Sequence, residues 1–386
     1  MTTRLGIALA GMLFTASPAA AEPQWSRDQA RELLAVAEGV GEEGLDPADY
    51  DAAALRRALA GADEAALHSR ATSVFLHLAE DYSRGHVRNR TSVAWHLPGP
   101  PMEPAAGRHL LERALESGGV RATLQGILPQ HRQYRLLKAA LAATPPRDNA
   151  GIQRLRANLE RWRWMPRELG RRYLLVNVPA FTVSLIEDNK VVARRKVIVG
   201  KPATPTPQFA ATVTGIILNP WWDIPASIVR ESVGKLVATN PAQARAKGYI
   251  VSGGRYRQRP GAGNALGQMK LVMPNPYTVY LHDTPNKALF DTEIRAYSHG
   301  CVRVQDALGL ASTLLAAAGW DRARVDAVVA EGKTTPANLT QPVPVYIAYF
   351  TAAAEDDGEI ATFPDVYGRD VPIVASLVDR EGATAP

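Results

Sequence analysis

Cys301 is the only cysteine of the 386-residue chain, and it stands in Ser298-His299-Gly300-Cys301-Val302-Arg303 (SHGCVR). His282 lies 301 − 282 = 19 residues upstream, within Tyr280-Leu281-His282-Asp283-Thr284. The chain holds eight histidines, six of them at or before His131, so the only two that follow, His282 and His299, stand shortly before the only cysteine. A free thiol is mostly protonated at neutral pH, while the thiolate is the attacking species. An adjacent imidazole can take the proton and hold the thiolate as an ion pair, then return a proton to a leaving amine. Together these parts make acyl transfer through a thioester. Spacing alone leaves open which histidine is the base. His282 could reach from a strand end, whereas His299, two residues from Cys301, would point the same way on an extended backbone. Gly300 allows a positive φ or a close backbone approach, and the amides around Gly300 and Cys301 could hold a developing oxyanion. A helical pattern begins right after Arg303, so its N-terminal dipole is expected to favour the thiolate.

Other readings of the same residues compete with this one. A lone cysteine can be inert packing. Two histidines and a cysteine can ligate zinc, although H-x-C plus a distant histidine is not a common spacing. Arg303 suits either a clamp for a substrate carboxylate or a loop anchor.

The elements that must position this group fall into two halves. Residues 1–21 read as an export signal: Arg4, the apolar run Leu5–Phe14, then Ala19-x-Ala21 with cleavage expected before Glu22. No later stretch is long and apolar enough for a membrane helix, and a single cysteine leaves no intramolecular disulfide. A net charge of +6, mild and scattered, argues against a nucleic-acid partner. From Glu22 to about Arg163 apolar residues recur at helical spacing, with an Asp46-Pro47 start and breaks at Gly118-Gly119 and Pro145-Pro146. Leu97–Pro104 (LPGPPMEP) reads as a linker. From Arg171 onward strand patterns dominate: a hairpin turning at Asp188-Asn189, then ATVTGIILN, GQMKLVM, YTVYLHD and the terminal PVPVYIAYFTA. DALGLASTLLAAAGW is a helix ending at Gly319. Between the strands, Pro225 to Arg259 carries two short helical patterns and the Gly253-Gly254 turn, as an insertion over a sheet would. The expected class is α+β, a helical domain over 22–165 followed by a β-rich domain over 166–386.

On SHGCVRV and the upstream histidine, the sequence resembles the L,D-transpeptidases, whose catalytic unit is the YkuD-like domain. NLERWRWMP, VNVPAFTVSL, NPWWDIPASI, NALGQMK and PNPYTVYLHDTPNKALF extend the likeness from Asn158 to the C-terminal strand, and more weakly to the helices, toward the large periplasmic branch of Gram-negative bacteria. The resemblance implies a scaffold domain over 22–165 and a β-rich mixed sandwich over 166–386 with a short helical capping insertion at about 225–263. It implies Cys301 as nucleophile and His282 as general base, with His299 and Gly300 shaping the oxyanion region. Ser298 and Arg303 take supporting positions, and Tyr280, Asp283, Asn264 and Trp222, with its neighbour Trp221, stand as candidates along the substrate cleft. Peptidoglycan stem peptides are the implied donor and acceptor, joined in 3–3 cross-links or, as a variant, 1–3 links. The setting is periplasmic, carbapenems are expected to acylate the thiol, and no metal or cofactor is required. Hydrolysis of the same thioester would instead make a carboxypeptidase or amidase, and loss of the chemistry would leave a wall-binding scaffold. The chain departs from the larger members in two ways: LKAALAATPPRDNAG runs straight into IQRLRANLERWRW, leaving no room for a peptidoglycan-binding domain, and the capping insertion is short.

Overall fold

The computed structural model describes residues 23–100 and 104–378; the expected export signal lies outside the described residues, as does part of the Leu97–Pro104 linker. The first half is helical: α1 (Arg27–Glu38), α2 (Ala52–Ala60), α3 (Glu64–Arg84), α4 (Pro104–Ser117), α5 (Val120–Ile127), α6 (Arg132–Ala143) and α7 (Asn149–Trp164). The start signals act locally. Ser26 and Gln29 form a reciprocal capping box at α1, with bonds of 3.2 and 2.9 Å. Asp63 caps α3 through the Ala66 amide at 3.0 Å. Asp46-Pro47 opens a 3₁₀ turn rather than a full helix, Asp46 accepting from the Ala48 amide at 2.9 Å.

Helix α7 joins the two halves, and the polar residues of its second half are almost wholly buried. Glu160 and Arg163, both without solvent exposure, pair at 2.7 Å. Glu160 also accepts from the Trp164 indole (3.0 Å) and the Val87 amide (2.7 Å). Arg163 donates to the Glu43 carbonyl (2.8 Å) and the Tyr134 hydroxyl (3.1 Å). The same helix reaches forward: Asn158 exchanges two hydrogen bonds with Thr351, at 2.8 and 3.0 Å, and Arg161 pairs with Asp370 at 2.5 Å. NLERWRW is thus a set of buried charges, each answered by a partner, as the low-dielectric interior demands.

The second half carries a nine-stranded sheet and, within the insertion, a smaller one. In chain order the strands are β1 (Arg172–Asn177), β2 (Thr182–Glu187), β3 (Lys190–Gly200), β4 (Phe209–Leu218), β5 (Trp222–Asp223), β6 (Tyr249–Ser252), β7 (Arg255–Gln258), β8 (Met269–Val272), β9 (Leu281–His282), β10 (Ala296–Ser298), β11 (Val302–Val304) and β12 (Thr335–Ala348). The large sheet runs β10-β3-β11-β9-β8-β4-β12-β1-β2, and β2 pairs again with β3, so it closes on itself. Strand β3 makes this possible by length. Its first part pairs with β2, and Val197 and Ile198 pair with β11. The β2–β3 hairpin turns at Asp188 (φ 47°) and Asn189 (φ 64°), the positive-φ pair that a two-residue turn needs. Leu174, Val176, Val213, Ile216, Val302 and Val304 are fully buried within the closed sheet.

The insertion is not purely helical. Short helices α8 (Ala226–Ile228), α9 (Gly234–Thr239) and α10 (Pro241–Ala246), with a π turn at Val229–Val233, stand on a three-stranded sheet ordered β5-β7-β6. Gly253 and Gly254, both at positive φ, make the β6–β7 turn. Helix α11 (Ala307–Leu315) follows β11, and α12 (Arg322–Ala330) follows the Gly319 turn. The C-terminal return has no counterpart in the sequence expectations. After β12 the hairpin β13 (Ala352–Ala354) and β14 (Ile360–Thr362) and helix α13 (Asp370–Val378) fold back onto α6 and α7.

Candidate active site

Strands β9 and β11 run parallel with Leu281 opposite Val302 and His282 opposite Arg303; β8 adds Lys270 opposite His282. Residues in register share a face and successive residues alternate. Leu281 and Val302 therefore point into the core, both fully buried. Tyr280, His282, Cys301, Arg303 and Lys270 share the other face. The central strands thus bring together the thiol, one imidazole and two cations that are up to 33 residues apart (303 − 270).

His282 is buried, and its Nδ1 lies 2.5 Å from the Asp283 carbonyl. A carbonyl only accepts, so Nδ1 carries the proton and Nε2 keeps its lone pair in the neutral ring. Burial, reinforced by the nearby Arg303 guanidinium, pulls the imidazole down to about 4. Burial pushes the Cys301 thiol above its ordinary value, against the Tyr280 backbone and the charges of Lys270 and Arg303, which favour the thiolate. Burial thus works against both the thiolate and the imidazolium, and so against the ion pair expected from the sequence. Lys270 sits 3.6 Å from the centre of the Tyr280 ring, and burial lowers the Arg303 guanidinium from its ordinary value.

Ser298, Gly300 and Cys301 form a tight turn. The Ser298 hydroxyl donates to the Cys301 carbonyl at 2.5 Å and accepts from the Gly300 amide at 3.1 Å. The Gly300 amide is therefore committed and is not a free oxyanion donor, a correction to the expectation from sequence; the Cys301 amide remains for that role. Gly300 has φ 111°, and its carbonyl accepts from Thr206 Oγ1 at 2.9 Å. The helix dipole expected at the thiolate is corrected too: β11 intervenes, and α11 starts only at Ala307, its first turn capped by Asp306 on the Gly309 amide at 3.2 Å.

The other expected residues separate by role. His299 meets Glu231 of the insertion at 2.9 Å. That leaves no Cys301–His282–His299 ligand set for zinc. Among the described residues the three-ligand group of His, Cys, Asp or Glu is His77, Asp81 and His86, in the helical half. Asp283 and Asn264, expected along the substrate cleft, are instead buried staples. Asp283 accepts from the Gln268 amide at 2.9 Å and pairs with Lys287, while Asn264 donates to the Arg259 carbonyl at 2.8 Å and accepts from the Leu266 amide at 2.8 Å. Trp222 is half-buried in β5, and Trp221 carries the Arg257 guanidinium 4.6 Å from its ring centre.

Several contributors leave no mark in the sequence pattern. Lys270 lies inside NALGQMK, but only the pairing of β8 with β9 gives it a role. Thr206 and Tyr367 brace the turn from behind: the Tyr367 hydroxyl donates to the Gly200 carbonyl at 2.6 Å and accepts from the Thr206 amide at 3.2 Å. The Thr278 carbonyl stands 3.9 Å from Cys301 Sγ, and its neighbour Tyr277 stacks on His96 of the helical half at 5.2 Å.

A helical domain followed by a closed sheet, with a thiol and a buried imidazole on one face and an inserted cap beside them, defines the class of protein. Residues 171–347 match the family model described as the L,D-transpeptidase catalytic domain, YkuD, and residues 18–141 match the one described as a scaffold domain. Residues 171–347 thus belong to the YkuD family of L,D-transpeptidase catalytic domains. A Haemophilus influenzae protein named "Putative L,D-transpeptidase" is 31% identical over 279 residues, covering 67% of this chain and 56% of that protein. The chain therefore spans little more than half the length of that curated relative. A solved L,D-transpeptidase from Mycobacterium smegmatis is 13% identical over 46% of this chain and 58% of that one, with a TM-score of 0.27. L,D-transpeptidase 3 from Mycobacterium tuberculosis is 15% identical over 46% and 61%, with a TM-score of 0.25. Superpositions this loose carry no argument. Among the described residues no helix is long and apolar enough to cross a membrane.

Proposed function

We propose that the chain is a periplasmic peptidoglycan L,D-transpeptidase acting through a Cys301 thioester. The observation that carries this reading is the shared face of Cys301 and the buried, neutral His282, whose ring is oriented by the Asp283 carbonyl. As Cys301 Sγ attacks the carbonyl of the third residue of a donor stem, His282 Nε2 takes the thiol proton and passes it to the departing D-Ala amine. Lys270 and Arg303 stabilise the negative charge that passes from sulfur to the tetrahedral oxygen, and the Cys301 amide is a donor for that oxygen. The acceptor stem's amine then attacks the thioester, losing its proton to His282 as the thiol is restored. A 3–3 cross-link results. Donor attack at the first stem residue would give a 1–3 link by the same steps.

The test is incubation of the reduced protein with defined tetrapeptide and pentapeptide muropeptides beside Cys301→Ala, with products read by tandem mass spectrometry. A cysteine-dependent dimer is expected, its fragments locating the bond. Loss of D-Ala without dimer would assign hydrolysis instead, and cross-linking by Cys301→Ala would overturn the mechanism. A carbapenem should add its mass to the wild type and not to the variant.

A further inference from the structure

The net charge of the chain is concentrated on the cap rather than scattered, as the sequence had suggested. Residues 221–263 hold seven basic side chains against two acidic ones, a net +5 where the whole chain carries +6. Both acids are already answered. Asp223 pairs with Arg257 at 2.8 Å, and Glu231 meets His299 at 2.9 Å and Lys201 at 3.6 Å. The other six cations, Arg230, Lys235, Arg245, Lys247, Arg255 and Arg259, are exposed, and among the described residues none makes a side-chain hydrogen bond or ion pair. Arginines elsewhere in the chain do find partners, as Arg194 does in Glu355 at 2.5 Å and Arg322 in Asp306 at 2.9 Å.

Two of the six line one groove. Arg230, on the π turn, and Arg255, at the start of β7, border a cleft of about 520 Å³ together with Ala226, Val229 and Tyr256. Its volume falls within the range of about 300–1,000 Å³ typical of ligand sites. Asp223 is the one acid of the lining, and Arg257 holds it. Two guanidiniums brought to one space by separate elements repel each other until an anion comes between them. Their planar forks fit a carboxylate, which accepts two parallel N–H bonds from each. The groove adjoins the Cys301 face on two counts. Burial lowers the Lys270 ammonium from its ordinary value, and the nearby groups that oppose this shift are Cys301 and Asp223. Glu231, next in the chain to Arg230, meets His299, two residues from Cys301.

We propose that this groove is a carboxylate site of the cap that takes an acidic peptide, its carboxylates on Arg230 and Arg255 and its aliphatic part along Ala226, Val229 and Tyr256. A concave lining with an apolar wall suits an extended peptide better than the flat headgroup surface of a membrane. The choice of peptide rests on the peptidoglycan reading above: a stem that ends in D-Ala carries carboxylates along its length, and the groove would hold it by these while its reacting end reaches the thiol. The remaining cap cations add a field of the same sign, which draws an anionic chain toward the site.

The test measures binding without turnover. The Cys301→Ala protein is titrated calorimetrically with the sugar-free tetrapeptide stem and with the same peptide carrying carboxamides in place of its carboxylates. Saturable binding of the acidic form is expected, weakened about tenfold by Arg230→Gln or Arg255→Gln and by amidation of the peptide. Both arginines are exposed and unpaired, so an unchanged Tm should accompany the loss. Arg245→Gln is the control, since Arg245 lines a separate groove of the cap with Arg259; it should change the affinity less than twofold. The proposal is overturned if the acidic stem does not bind, if neither groove variant weakens it, or if Arg245→Gln weakens it as much, which would make the attraction one of diffuse charge. Binding of phosphatidylglycerol vesicles that Arg230→Gln abolishes, with no binding of the stem, would overturn it in favour of a membrane surface. Cross-linking by Cys301 is read separately in the muropeptide assay, so a cysteine-dependent dimer formed equally well by the groove variants would sink this site and leave the transpeptidase reading standing.

Discussion

Burial acts in opposite directions on the two groups that exchange a proton in the proposed mechanism. It lifts the Cys301 thiol and lowers the His282 imidazole to about 4, disfavouring the charged form of each. The neutral base is the active form, and it persists as pH falls until about 4. The acid limb of kcat/KM is therefore expected near 4; a limb at the ordinary histidine value of 6.5 would mean that His282 is solvated or is not the base. Alkylation of the free enzyme by iodoacetamide should accelerate only above pH 9.0, the ordinary thiol value, because the raised thiol ionises later. Acceleration below that point would restore the ion pair. Cys301 and both histidines could be picked out as candidates because they are scarce in this chain. Their charge states were not, since these depend on which backbone carbonyl and which guanidinium the fold places beside them.

The turn carrying Cys301 shows conformation outweighing space. A Cβ at Gly300 would come no nearer than 3.7 Å to the Pro205 carbonyl, an ordinary contact, but φ is 111°. Gly300→Ala should thus cost about 1–3 kcal/mol through backbone strain rather than collision. The expected result is a lower Tm and slower acylation, with the protein still folded; an unchanged Tm would show that the turn relaxes freely. The cap makes a separate contact through Glu231, which meets His299 at 2.9 Å and Lys201 at 3.6 Å. Glu231→Gln keeps the shape and removes the charge. Amide exchange over residues 226–246 should quicken while a small thiol reagent reacts with Cys301 as before, and unchanged exchange would free the cap of this tether. The hairpin at Asp188-Asn189, the Gly253-Gly254 turn and the helix ending at Gly319 were all readable, because turn chemistry is local. The β-sheet within the insertion was not, since two-residue β5 has no pattern of its own and exists only by pairing with Gln258 and Arg257.

At the scale of the whole molecule, the two halves share one interior. Glu160 and Arg163 are both fully buried, and Glu160→Ala leaves the guanidinium without its carboxylate. Removing one partner of a buried pair costs about 3–5 kcal/mol, so this variant should show a sharply lower denaturation midpoint in both the helical and the sheet signals. If only the helical signal shifted, the halves would be energetically independent. The division into helical and β-rich regions could be read from the change of period near Arg171. The return of the C-terminus could not, because β13, β14 and α13 are short and take their places from α6 and α7 rather than from their own periodicity.

That return sets a timetable for synthesis. Asn158 waits 193 residues for Thr351, and Arg161 waits 209 for Asp370. The helices are translated first, yet the side of α7 bearing Asn158, Arg161 and Trp162 has nothing to close against until residues 350–370 are made. A nascent chain arrested before Asp370 would hold its helices loosely and bind chaperones through that open flank. Emergence of residues 351–370, rather than completion of the helical half, is the event that locks the molecule shut.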